Sequence, residues 1–196
     1  MNAFELITFE RAVADHFEKG DIHGPVHLSG GNEEQLIEIF KNIHRDDWVF
    51  STWRSHYHAL LHGIPGWWVA KEIIEGRSIN LKSAKHRFFT SAIVGGILPI
   101  AVGVAAAIKR QGGETQVWCF IGDMAASIGT VHDAFNYADG NDLPITFVIE
   151  DNGLSVCTPT EQAWGKNIHF EDSPHIMRYH YQATLPHYGV AKGTTF

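Results

Sequence analysis

Two nearly continuous apolar runs, Val117-Trp118-Cys119-Phe120-Ile121 and Ile145-Thr146-Phe147-Val148-Ile149, constrain this chain more than any other feature. A sheet with one wet face needs polar residues at alternate positions; runs without them belong to strands buried on both faces of a parallel sheet. Between the two runs, Ser127 to Ala138 has helical spacing and stops at Asp139-Gly140-Asn141. Strand, helix, strand at this length is a right-handed βαβ unit. The expected fold class is therefore α/β, with a mostly parallel sheet flanked by helices, in a single domain over residues 1–196.

The rest of the chain supplies the covering layers. Residues from Asn2 to Lys19 carry Phe4, Ile7, Ala12, Val13 and Phe17 at helical spacing, and Gly20, Gly24 and Pro25 stop that helix. Glu33 to Ile43 is a second short amphipathic helix. Trp48 to Trp53 has the aromatic and β-branched content of a strand, and Arg54 follows its end. One or two short helices are expected from Ser55 to Ile74 around Gly63-Ile64-Pro65-Gly66, then a loop from Arg77 to Thr90. Ile97 to Arg110 reads as a helix with Pro99 harmlessly in its first turn, where its missing N–H has no intrahelical partner to lose.

Charge and composition narrow the partners. Fifteen Lys and Arg stand against 22 Asp and Glu, a net charge of −7, with no basic block to attract nucleic acid or an anionic membrane. The longest apolar stretch, Ile93 to Ile108, is broken by Gly95, Gly96, Pro99 and Gly103 and reads as a buried helix rather than a membrane span. The first residues lack the basic and apolar regions of a signal peptide. Two cysteines, Cys119 and Cys157, make no disulfide framework, so a reducing cytoplasm is expected. His58 and His62 are spaced as a zinc pair would be on a helix, but no further ligand motif accompanies them.

In a doubly wound sheet, ligands bind beyond the carboxyl ends of the strands. Asp123 follows the first strand of the βαβ unit and Asn152 follows the second. A carboxylate and an amide oxygen that converge there are hard donors suited to Mg²⁺ or Ca²⁺. Taken singly, each feature also has a plainer explanation: Asp123 as a helix cap and Asp151-Asn152-Gly153 as a turn.

Four ordered blocks, spread over residues 27–160, resemble the α subunit of 2-oxo-acid dehydrogenase E1 components, which use thiamine diphosphate. Gly122-Asp123-Met124 followed by Asp151-Asn152 is similar to that cofactor's Gly-Asp-Gly and Asn-Asn motif. Ile93-Val94-Gly95-Gly96 through Pro99, Ala101, Gly103 and Ala105 is similar to the family's Gly-Ile-Val-Gly block. Trp53-Arg54-Ser55-His56 stands for Tyr-Arg-x-His, and His27-Leu28-Ser29-Gly30-Gly31-Asn32-Glu33 for His-Leu-x-x-Gly-Gln-Glu.

The resemblance implies a set of roles. Asp123, Asn152 and the carbonyl of Leu154 would hold Mg²⁺, which bridges the phosphates of thiamine diphosphate. Arg54 would reach the diphosphate with Trp53 beside it; Gly122, Met124 and Ala125 would border it; and Ala92 and Val94 would line the thiazolium and pyrimidine cleft. His27 would face the reacting carbon, and His56 is a second catalytic candidate with helix packing as its alternative.

Departures from the family pattern bear on function. Met124 stands where the motif has Gly, which is possible only with negative φ and the side chain directed away. Lys82, Lys85, His86 and Arg87 lie in a shorter segment than the family's and are either a solvated loop or a contact to a substrate anion. Only 44 residues follow Asn152, fewer than the family's further strands need, so a sheet edge should require cover. Arg178-Tyr179-His180-Tyr181 has a superficial likeness to a family loop at the wrong distance, and no role is carried to it.

The expected function is the α-type subunit of a thiamine-diphosphate-dependent 2-oxo acid dehydrogenase or decarboxylase. A β-type chain would supply the pyrimidine-binding half in an α₂β₂ assembly, and a lipoyl domain could accept the acyl group. The alternatives are a split transketolase-like ketol transferase and a reduced paralogue that binds without turnover.

Overall fold

A computed structural model describes residues 1–165, 173–185 and 187–188. The chain begins with helix α1 (Ala3–Lys19), started by a capping box in which Asn2 Oδ1 accepts from the Glu5 N–H and the Glu5 carboxylate accepts from the Asn2 N–H. Gly20 ends it in the left-handed region at φ 81°. The two-residue strand β1 (Val26–His27) precedes α2 (Glu33–Phe40), β2 (Trp48–Ser51), α3 (His56–Leu61) and α4 (Gly66–Glu72). Short helical turns and strand β3 (Lys82–Ser83) lead to β4 (Phe88–Thr90). Then come α5 (Ile97–Arg110), β5 (Val117–Gly122), the short α6 (Asp123–Ala126), α7 (Gly129–Gly140) and β6 (Ile145–Asp151). The later described elements are the hairpin strands β7 (Leu154–Ser155) and β8 (Thr158–Pro159), α8 (Thr160–Trp164), β9 (Ile176–His180) and β10 (His187–Tyr188).

The central sheet has the order β3-β4-β2-β5-β6-β9, parallel throughout except for the edge strand β3. The mostly parallel α/β architecture expected from the two apolar runs is present. Its winding matters for the site. From β2 the chain steps one way to β4, then crosses back to β5 and continues outward to β6 and β9. The direction of winding therefore reverses between β2 and β5, and the crevice beyond their carboxyl ends is the topological switch point.

Both faces of the sheet are covered, which is why β5 and β6 carry no polar alternation. Trp118, Phe120 and Val148 pack with α1, α2, α3 and α4 on one face. Val117, Cys119, Ile121, Phe147 and Ile149 pack with α5 and α7 on the other. Phe120 stacks on Phe40 at 5.6 Å and meets the His58 ring at 4.4 Å. Each fully buried side chain of this kind stabilises the fold by about 1.5–3 kcal/mol of transfer free energy.

Two expectations need correction. The segment from Arg77 to Thr90 is not loop throughout: Phe88–Thr90 pairs in parallel with β2, with Phe88 buried beneath it. Helix α7 starts two residues late, because the chain leaving β5 first makes the separate turn of α6. A further parallel strand, β9, lies beside β6 and is the outer strand of the sheet on that side. His58 and His62 both lie against Phe40, and no metal-holding cluster occurs among the described residues. Among the described residues no helix is long and apolar enough to cross a membrane.

Candidate functional site

A cleft of about 680 Å³, counting space open to solvent, occupies the switch point. Strand β2 delivers Thr52, Trp53 and Arg54 to it, and β5 with α6 delivers Gly122, Met124 and Ala125. Arg54 Nε donates to the Leu28 carbonyl at 3.1 Å, which fixes the guanidinium at the cleft wall. Val94 and Gly95, just before α5, close another side. Gly95 is required there: at φ 72° an added Cβ would lie 2.2 Å from Ile128 Cδ1. Asn152 and Leu154, after β6, complete the rim.

Asp123 lies just beneath this lining, 6% exposed, between Gly122 and Met124. Its Oδ2 accepts from the Thr160 hydroxyl of α8, while Oδ1 is buried with no hydrogen-bond partner. Burial raises its pKa and the nearby Asp151 adds to that shift, while the Thr160 hydrogen bond and the nearby backbone N–H groups of Asp123 and Asn152 oppose it. Asp151 itself is met by Arg178 and by His180 Nδ1 at 3.0 Å. Among the described residues no ion pair does the same for Asp123. A buried carboxylate oxygen without a donor is costly in an apolar surround, and a hard cation relieves that cost. Asn152 Oδ1 accepts from the Leu154 N–H at 3.0 Å and keeps a second lone pair. The donor set thus fits a divalent ion held by oxygen.

Met124 adopts helical φ in α6, as a side chain at that position requires. Its sulfur accepts from the Trp164 indole N–H at 2.8 Å, so the side chain is tied to α8. The two histidines separate. The His27 ring packs against Trp53 at 5.9 Å, next to the cleft but outside its lining. His56 is not in the cleft at all. It is 0% exposed, with Nδ1 2.9 Å from Glu10 Oε2 and Nε2 2.8 Å from Ser78 Oγ. Glu10 also accepts from the Ser29 N–H at 2.8 Å. Serine, histidine and acid are the residue types of a nucleophilic triad, yet all three are sealed from solvent, so no substrate reaches them. The expected catalytic place of His56 gives way to a supporting one, because its ring nitrogens are both engaged in the interior. Ala92 falls outside the lining, beside Val94 in sequence.

Sequence reasoning missed three participants. Glu150 lines the cleft, accepts from the Tyr179 hydroxyl and from Asn32 Nδ2 at 3.3 Å, and stands 3.2 Å from His58 Nε2. Its signal was available: Glu150 is two residues beyond Val148 and so shares that side chain's face. Thr160 gave no signal. Tyr181 lines the cleft just past β9, and could be placed only once β9 was known to pair with β6. The basic residues Lys82, Lys85, His86 and Arg87 do not line the cleft; Lys82 lies over the Phe89 ring at 5.0 Å.

A sequence profile described as "Dehydrogenase E1 component" matches residues 1–169. Among curated relatives, the α subunit of acetoin:2,6-dichlorophenolindophenol oxidoreductase from Bacillus subtilis is 32% identical over 169 residues, covering 81% of this chain and 51% of the relative. The pyruvate dehydrogenase E1 component subunit α of Porphyra purpurea is 33% identical over 165 residues, covering 76% of this chain and 48% of the relative. The corresponding acetoin oxidoreductase α subunit of Cupriavidus necator is 34% identical over 161 residues, with 76% and 48% covered. The chain spans about half the length of the curated relatives it matches. With the profile extending from the first helix through the cleft-bearing strands, this chain belongs to the dehydrogenase E1 component family.

Proposed function

We propose that this chain is the α-type subunit of a thiamine-diphosphate-dependent 2-oxo acid dehydrogenase or decarboxylase, and that its cleft takes the Mg²⁺–diphosphate end of the cofactor. The observation that carries this reading is the buried Asp123 Oδ1, without a hydrogen-bond partner, beneath a switch-point cleft that Arg54 also lines. A crevice that combines an unsatisfied carboxylate oxygen, which asks for a cation, with a guanidinium, which asks for an anion, suits a metal-bound diphosphate. Asp123, Asn152 and the Leu154 carbonyl are the residues that would hold Mg²⁺, and Arg54 donates to the phosphate oxygens. Gly122, Met124 and Ala125 border the diphosphate, while Trp53, Val94 and the neighbouring Ala92 flank the organic part.

When bound, thiamine diphosphate supplies the carbanion and electron sink for decarboxylation. The protein's part is orientation and charge. His27, held against Trp53, is placed to donate a proton or to stabilise negative charge at the substrate. Asp123 works as a charge held in a site with little water, where its attraction for the metal is strengthened.

The relatives named above are called α subunits, which supports a β-type partner carrying the pyrimidine-binding half, in an α₂β₂ assembly. A lipoyl domain is the proposed acyl acceptor. Residues 1–196 are read as one diphosphate-binding domain. Both cysteines are free, in keeping with a reducing cytoplasm. A split ketol transferase draws less support, since the basic segment it would use for sugar phosphate does not border the cleft.

Calorimetric titration of the full chain with thiamine diphosphate, with and without Mg²⁺, tests the reading. Asp123→Ala is expected to remove the Mg²⁺-dependent part of the binding. Equal affinity in parent and variant would put the metal elsewhere.

A further inference from the structure

We propose that Tyr181 is a binding residue of the cleft, its phenol donating a hydrogen bond to the same anionic group that Arg54 receives. This rests on the reading of the cleft as a phosphate site, and it names a contact that the motif residues leave out. Tyr181 comes from the far end of the chain. It follows β9, and its N–H donates to the Asp151 carbonyl at 2.9 Å, which extends the pairing with β6 by one step and fixes the backbone at the cleft rim. Its ring lies 5.8 Å from that of Tyr179, so packing limits its orientation. The side chain lines the cleft together with Trp53 and Arg54.

The chemistry of the Arg54 contact sets the direction of the hydrogen bonds. Tyr181 and Arg54 line the same cleft, close enough that the guanidinium acts on the phenol both through its charge and as a hydrogen-bond donor. A guanidinium has donors and no acceptor, so Arg54 donates and the phenol oxygen accepts. The hydroxyl hydrogen of Tyr181 is then left to point to a different acceptor. Glu150 is the charged group nearest in effect, and it already takes the Tyr179 hydroxyl and the Asn32 amide. An anion entering beside Arg54 offers a second acceptor, on the open side of the ring. Burial first, and then the charge of Glu150, push the phenol up to about 12 against the opposing pull of Arg54. The hydroxyl thus keeps its proton at neutral pH and remains a donor. A guanidinium and a phenol side by side give an oxyanion two donors of different geometry.

The test is calorimetry on the full chain and its Tyr181→Phe variant, with Mg²⁺–thiamine diphosphate, Mg²⁺–pyrophosphate and thiamine as probes. Loss of one hydrogen bond to a charged group predicts affinity weaker by roughly tenfold to a hundredfold for both phosphate-bearing probes, with thiamine unchanged. The substitution keeps the ring and its packing, and an unaltered melting temperature without ligand confirms that the variant is folded. A variant that binds both phosphate-bearing probes as tightly as the parent would overturn the assignment while leaving the cleft's function standing. A parent that binds neither would remove the diphosphate reading itself, and this contact with it.

Discussion

Replacing Glu10 with Ala removes a carboxylate that is fully enclosed, accepts from the Ser29 N–H at 2.8 Å and stands 2.9 Å from His56 Nδ1. Two hydrogen bonds to a charged group contribute about 1.5–3 kcal/mol each, and the abandoned Ser29 and His56 donors keep their desolvation cost. Removing one partner from a buried pair typically costs about 3–5 kcal/mol, and that is the expected loss. Set against a total stability of about 5–15 kcal/mol, the change is large. For a chain of this length it corresponds to a fall in melting temperature of roughly 6–20 °C. Urea unfolding of the ligand-free chain, followed by circular dichroism, measures it directly. The double variant Glu10→Ala/His56→Ala is expected to cost less than the sum of the singles by about 0.5–3 kcal/mol, because each single change strands the other residue. A loss under about 1 kcal/mol for Glu10→Ala, or strict additivity, would refute the view that His56 serves the interior.

Two further outcomes follow from the packing. Phe120→Ala, at a position in ring contact with both Phe40 and His58, is expected to cost about 3–5 kcal/mol in the same unfolding assay, since neither neighbour can collapse into the space without losing its own contacts. His62 has its pKa lowered from 6.5, chiefly by burial, with Arg45 and His86 pushing the same way against the His86 backbone and Asp47. As pH falls below 6.5 the unfolded chain takes up this proton first, so the stability is full above that point and declines through the acid range toward the folded value. Urea midpoints for parent and His62→Gln should converge as the solution is acidified; a gap independent of pH would show that His62 is not the residue responsible.

The parts of the fold that could be read from sequence are those whose signal is local. Val117 to Ile121 and Ile145 to Ile149 announce themselves because a strand covered on both faces must be apolar at every position. Helix α5 was legible to the residue, its Pro99 and Gln111-Gly112-Gly113 marking both ends. Strand β4 was not, since three residues are too few to display a period, and its place is set by pairing with β2. Strand β9 was missed for a related reason: Ile176 to His180 is a short strand that mixes apolar and polar residues without alternation, and nothing local says that it lies beside β6. The site divides in the same way. Asp123 and Asn152 follow the ends of β5 and β6, so strand ends located them, whereas Arg54, Gly122, Met124 and Ala125 come through the family resemblance. Glu150 and Tyr181 reach the cleft through sheet register, and Thr160 through the fold of a later helix onto Asp123. His56 misled because a motif position carries no information on burial.

The loop around Gly30 and Gly31 is pressed against the chain's late residues: at Gly31, φ 90°, a Cβ would lie 1.9 Å from the Gln182 carbonyl oxygen, and Thr184 donates its N–H to the Gly30 carbonyl at 3.3 Å. Together with the pairing of β1 and β10, this clasp joins segments more than 150 positions apart. During synthesis, then, the early helices and the central strands can collapse while the cleft still lacks Tyr181, which emerges from the ribosome only afterwards. Interrupted translation would yield a body with its central strands and most of the cleft lining in place but without the side of the cleft that Tyr181 closes.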